Sequence, residues 1–239
     1  MVRLRRDNAL AETRRLVKSI TPREHPDLSP GATMYGLVLG STTEDTTVID
    51  IASGAVVRWR VPWPAGVDSD LTLFGVAEAV IADEPENDDL AQPEAITVAD
   101  LPRHLGTFKG RQIREWLEAI TAPADGPLFG FRGPSHPYWE FRGERPSTAV
   151  IVADRGPQLL RRRDDGTTWV RFGWERDDVW LLCEDPHAIR ALDATRESVL
   201  SGKELATALG YRPSYVLATL SRPMDGHCYK LCTGLLPRG

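Results

Sequence analysis

Runs of β-branched and aromatic residues between turn residues dominate the middle of this chain and predict strands. Met34–Leu39, Thr46–Ile51 and Ala55–Val61 read as a meander with Ala52-Ser53-Gly54 as a tight turn, and Leu71–Ile81 reads as a longer strand. Thr148–Ala153, Gln158–Arg163, Thr167–Trp174 and Asp178–Cys183 read as a second antiparallel group, with a hairpin turn at Asp164-Asp165-Gly166. The pattern changes to a helical period over Arg111–Ile120, where Ile113, Trp116, Leu117 and Ile120 recur at i, i+3, i+4 and i+7 before Pro123. Asp185-Pro186 supplies an N-cap and first-turn proline for a helix running to about Arg196. Ser201 with Glu204 three residues on has the spacing of a capping box opening the next helix.

The two ends of the chain carry different signals. Residues 1–20 place Arg3, Arg5, Arg6, Arg14, Arg15 and Lys18 among apolar residues, which predicts a basic amphipathic helix. Residues 21–33 hold Pro22, Pro26, Pro30 and Gly31 and read as a linker, and 83–94 reads as an acidic loop. Near the C-terminus, Lys203–Tyr211 has the pattern of a short helix and turn, and Arg212–Ser221 that of a second helix. Small or apolar residues, Ala206, Gly210, Val216 and Leu220, stand where two helices would cross. Asp225-Gly226 then turns a hairpin into an outgoing strand, His227–Leu231.

Over about residues 186–239 this order resembles the winged helix-turn-helix family of DNA-binding domains. The resemblance implies that the second helix enters the major groove. Lys203, Arg212, Ser214, Tyr215, Ser221, Arg222, His227 and Lys230 would then contact duplex DNA. Arg212 could reach guanine or a phosphate, and Ser214 and Tyr215 suit phosphate positioning. Leu217 and Ala218 offer base edges no hydrogen bonds. An apolar outer face of that kind also suits a winged helix that binds a partner protein, so this alternative stands beside the first. Dimeric winged-helix regulators bind paired half-sites, so a homodimer is expected by analogy.

Charge modifies this picture modestly. The chain of 239 residues carries a net −5, while seven basic residues against four acids make the segment from Pro186 to Gly239 net +3. A basic module on an acidic body is the direction phosphate binding requires. Arg161-Arg162-Arg163 with Arg171 could add a phosphate patch, but Asp164, Asp165 and Glu175 stand close enough to neutralise it. An apolar fraction of 41% and a charged fraction of 26% are those of a globular protein. No apolar run approaches the roughly 20 residues that span a bilayer, and no apolar stretch of a secretory signal follows the basic N-terminus. Three cysteines fit a reducing cytoplasm better than a disulfide framework. Seven scattered tryptophans are expected to serve core packing.

Candidate chemistry is sparse. Cys183, His187, Cys228 and Cys232 are the residue types of a zinc set. Cys228 and Cys232, however, would lie about 13 Å apart along a strand, so free thiols are expected. No phosphate-binding loop, dinucleotide turn or zinc-protease motif is present. Asp68-Ser69-Asp70 together with Gly133–Trp139, around His136, loosely resembles the metal and nucleotide segments of primase-polymerases, a second alternative that needs the three side chains to converge. His25, His104 and Glu140 have no partner at informative spacing.

These readings give an α+β fold: a basic helix over 1–20, a linker over 21–33, a β-rich antiparallel body over 34–185 and a winged helix-turn-helix over 186–239. The expected function is regulatory or architectural duplex-DNA binding in the cytoplasm, without a cofactor and without membrane association.

Overall fold

The computed structural model describes residues 29–62, 71–83, 89–108, 112–123, 126–141, 146–175 and 177–238. The N-terminal basic segment, most of the linker, His25, Asp68 and Asp70 lie outside them. Among the described residues are fourteen strands and three α-helices, so the fold is mostly β. Two compact units divide the chain, the first running to Asp88 and again over Glu94–Ala119, the second comprising Asp89–Pro93 and Ile120–Gly239.

The first unit contains β1 (Thr33–Ser41), β2 (Asp45–Asp50), β3 (Val56–Arg60), β4 (Gly75–Val80), β5 (Ala95–Thr97) and β6 (Arg103–Thr107), ordered β5-β3-β2-β1-β4-β6. β3 and β5 run parallel and the other pairings are antiparallel. Ala82 N donates to Thr97 O and Ala99 N to Val80 O, on either side of the Ile81–Val98 bridge. These bonds join β5 to the end of β4, and β1–β5 close into a five-stranded ring. Strand alternation sends Met34, Val38, Val48, Val57, Trp59, Ala77, Ala79 and Ile96 into one buried cluster. Gly36 is required there, because a Cβ would stand 2.7 Å from the Trp59 ring and 2.8 Å from Val48. The opposite face of β1–β3 is buried too: Leu37, Thr47, Ile49 and Arg58. The Arg58 guanidinium pairs there with the Asp45 carboxylate, both side chains withdrawn from water. Helix α1 (Gln112–Ala119) buries the stripe Ile113, Trp116 and Leu117, and Trp116 stacks on Phe108 at 5.6 Å between centroids.

The second unit is built on a sheet ordered β12-β9-β10-β11-β14-β13-β8, with short β7 (Ser135–Pro137) also paired to β14. Its strands are β8 (Thr148–Val152), β9 (Arg155–Arg161), β10 (Thr168–Trp174), β11 (Asp177–Cys183), β12 (Val199–Ser201), β13 (Pro213–Leu220) and β14 (His227–Pro237). Among these strands only the short β11–β14 contact is parallel, and Thr121 adds an isolated parallel bridge to Val150 of β8. Helices α2 (Pro186–Asp193) and α3 (Gly202–Leu209) pack one face, with Ala188, Leu192, Leu205 and Leu209 joining Leu159, Val170, Phe172, Leu181 and Cys183 in one core. The α2 cap is the expected one. Asp185 accepts from the backbone N–H of His187 and Ala188, and its second oxygen accepts from Leu235 N at 3.1 Å, which ties the helix start to β14. Burial pushes the Asp185 carboxyl up against the pull of those three donors. Ser201 occupies the N-cap of α3 but its side chain makes no capping bond.

The winged helix-turn-helix is absent, and with it the α+β assignment. Gly210 ends α3 in the left-handed conformation, φ 78°, and the chain then enters an extended strand, β13. β13 lies between β8 and β14, and Tyr215 through Leu220 are all buried. A strand covered on both faces needs a near-continuous apolar run, which a helical reading of Tyr215-Val216-Leu217-Ala218-Thr219-Leu220 also accepts. The hairpin at Asp225-Gly226 does form, with both residues at positive φ, but it joins two strands of the sheet.

Candidate functional site

The outer face of β9–β12 is the part of the second sheet that no element covers among the described residues. Register places Val199, Leu160, Trp169 and Leu182 side by side across β12, β9, β10 and β11. The next row is Ser201, Gln158, Arg171 and Trp180, and the third is Arg155, Gly173 and Asp178. At about 4.8 Å per strand the rows are about 14 Å wide. Val199 and Trp180 are 43% and 42% exposed, and Leu160, Trp169, Arg171 and Leu182 are half-buried. Their immediate neighbours Leu159, Val170, Leu181 and Leu200, pointing the other way, are buried in the core.

Hydrogen bonds and stacking hold this face in one arrangement. Arg171 donates from Nε to both Asp178 oxygens, at 3.0 and 2.9 Å, and lies over the Trp180 ring at 5.1 Å. Trp180 Nε1 donates to Asp178 Oδ2 at 3.3 Å, so Asp178 is bonded to both Arg171 and Trp180 and the three side chains form one group. The Arg171 hydrogen bonds hold the Asp178 carboxyl below the usual carboxylate range. Trp169 Nε1 donates to Thr167 Oγ1 at 2.8 Å, and Arg162 stands 6.0 Å from the Trp169 ring. Gly173 leaves the space that the Arg155 side chain fills, because a Cβ there would stand 2.6 Å from Arg155 Nε.

The face is electrically balanced. Between 154 and 182 the sequence holds six arginines and six carboxylates. Arg171 pairs with Asp178, Arg161 with Asp193, and Arg162 with Asp164 and Asp165. Arg162 is therefore held by the expected Asp164 and Asp165, Arg161 by the more distant Asp193 and Arg171 by Asp178. Trp59, Trp116 and Trp174 serve the cores, whereas Trp180 and Trp139 are exposed. In the sequence Arg171 was assigned to a phosphate patch and the tryptophans to core packing, although the signal of a shared face was present: Trp169-x-Arg171 and Asp178-x-Trp180 repeat at the period of a strand.

The residues assigned to DNA contact are scattered. Lys203 is exposed in the first turn of α3, and Arg212 and Arg222 are exposed at opposite ends of β13. Nine residues, eight of them strand, separate the two arginines by about 30 Å, too far for one recognition element. Ser214 is half-buried, and Tyr215 is buried opposite Val152 and Leu236. Leu217 and Ala218 are wholly buried, so they offer no surface to DNA or to a partner. Ser221 is buried, with Oγ donating to Arg222 O and accepting from Tyr229 N. His227 sits edge-on to Trp139, and Lys230 is buried with Nζ donating to Phe131 O at 2.7 Å.

The cysteines are all buried and free. Cys183 and Cys232 are side by side across β11 and β14, while the His187 ring turns to Leu209 O and stacks on Tyr211. Among the described residues no group of three or more His, Cys, Asp or Glu is arranged to hold a metal. No helix of the described residues is long and apolar enough to cross a membrane. A scan against protein-family models and a search of curated proteins return no match to this chain.

Proposed function

We propose that this protein is a protein-interaction module whose partner docks on the outer face of β9–β12. The observation that carries this reading is the Arg171–Asp178–Trp180 group beside the apolar row Val199, Leu160, Trp169 and Leu182. Contiguous exposed apolar surface rimmed by polar groups marks a binding surface. Trp and Arg are the residues that carry most of the energy at protein interfaces. Here they are already held in place, which reduces the side-chain ordering a partner must impose.

Charge favours a protein over a phosphate backbone as the ligand of this face. Nucleic-acid affinity grows with the number of phosphates neutralised, and Arg171 at the centre of the face is engaged by Asp178 of the same chain. The ring of the first unit follows a five-stranded plan that elsewhere holds oligonucleotides across its second and third strands. In this chain Thr47, Ile49 and Arg58 on that face are buried, which disfavours stacking of a base there.

The test compares wild type with Trp180→Asp and Val199→Asp. Sedimentation velocity over a wide concentration range detects self-association, and capture from native extract detects another protein. The reading requires an association that both variants lose while their thermal midpoints stay near wild type. Identical behaviour of all three proteins in both assays removes it.

A further inference from the structure

The strand order of the second sheet sets β11 against β14 at its middle, and the two run parallel. This seam is short: Leu182 stands opposite Leu231 and Cys183 opposite Cys232. Just beyond it Glu184 N donates to Cys232 O, and Leu235 N donates to Asp185 Oδ2 at the start of α2. In the hydrogen-bonded order of the sheet, β12, β9, β10 and β11 join β14, β13 and β8 only here.

Two of the three cysteines of the chain form one register pair of that seam. Neighbouring strands stand about 4.8 Å apart, inside the roughly 4.4–6.8 Å that separate Cα atoms joined through a disulfide. Both side chains point to the same side of the sheet, into the core that α2 and α3 cover. Burial pushes the Cys232 thiol up, and so does its hydrogen bond with the Cys183 thiol, which puts the two sulfurs in contact. Cys228 is the contrast. It faces the same core but stands opposite His136 of β7, and about 13 Å along β14 from Cys232.

We propose that Cys183 and Cys232 are a cross-linking site: under oxidising conditions they form a disulfide that fastens β11 to β14. The oxidant is a small disulfide such as oxidised glutathione. One cysteine thiolate attacks it and expels a glutathione thiolate, and the second cysteine attacks the mixed disulfide and expels the other. Two protein thiols and one oxidised glutathione give one protein disulfide and two glutathione thiols, so electrons and protons balance. In the folded chain both sulfurs are buried, and a buried thiol held in its protonated form is a slow nucleophile. The bond therefore forms while the chain folds or when the seam opens, and the register of the sheet selects the pairing. β11 carries Trp180 and Leu182 on its outer side, so the bond also anchors the strand that presents them.

The test refolds the reduced whole chain from guanidinium chloride in glutathione buffers of rising oxidised fraction. Remaining thiols are alkylated under denaturing conditions, and the unreduced chain is digested for peptide mass spectrometry. A second sample is held folded in the same buffers for several days, so the result does not depend on efficient refolding. The expected product links Cys183 to Cys232 and leaves Cys228 alkylated. Closing so long a loop should raise the thermal midpoint by about 5–10 °C, and dithiothreitol should return it. Cys183 and Cys232 left alkylated or carrying glutathione in the most oxidising buffer, in both samples, overturn the proposal. A bridge that uses Cys228 or joins two chains in their place does so too, as does a bridged chain that melts below the reduced one.

Discussion

In the ring of the first unit, inward-pointing Met34, Val38 and Val48 are buried, and so are Leu37, Thr47 and Ile49 pointing the other way. In the second unit β9–β12 bury one face under α2 and α3 and leave the other to solvent, with two tryptophans in it. Strands of the first kind have spent their apolar surface on folding. Strands of the second kind carry apolar surface that folding has not used, which is where association can still gain free energy.

The contrast predicts opposite responses to substitution. The largest effect belongs to the first unit: Asp45→Ala leaves the Arg58 guanidinium buried without its carboxylate. Loss of one partner of a buried pair costs about 3–5 kcal/mol, measured as a drop in the denaturant midpoint. Leu217→Ala follows, at about 2–5 kcal/mol for a fully buried leucine. The same substitution on an exposed recognition helix would change stability by no more than about 0.5 kcal/mol.

Lys230 sharpens the comparison through pH. Its folded-state amine titrates near 8, below its unfolded value, so the unfolded chain holds the extra proton between there and about 10.4. Stability should therefore rise with pH across that window, and Lys230→Met should flatten the slope when midpoints are compared at pH 7.5, 9 and 10. A smaller loss, on the order of 1 kcal/mol, is expected for Gly226→Ala, since φ is 77° and the new Cβ would stand 2.8 Å from the Trp139 ring. Its readout is the thermal midpoint.

Much of the strand pattern was legible because half-buried strands alternate visibly. The hairpin at Asp164-Asp165-Gly166, the turn after Asp50 and the stripe Ile113, Trp116, Leu117 all form where spacing placed them. β13 was misread because its information lies in its neighbours: only β8 and β14 together make an apolar run a central strand. Gly210 ends a helix equally well whether the chain then turns into another helix or into a strand. The candidate face was hidden for a related reason. Trp169, Arg171, Asp178 and Trp180 are spread over two strands, and Val199 is remote in sequence, so only register brings them together. Lys230 was named from the sequence for a wing strand, and its enclosure by Phe131 could not be read from residues ninety-nine apart.

The most direct test of the central claim is sedimentation velocity and extract capture of Trp180→Asp beside wild type, with thermal midpoints measured on the same samples. The account predicts a stability change within about 0.5 kcal/mol, as for an exposed position, together with loss of the association wild type shows. A variant that unfolds several kcal/mol more easily, or one that retains every association of wild type, would contradict it.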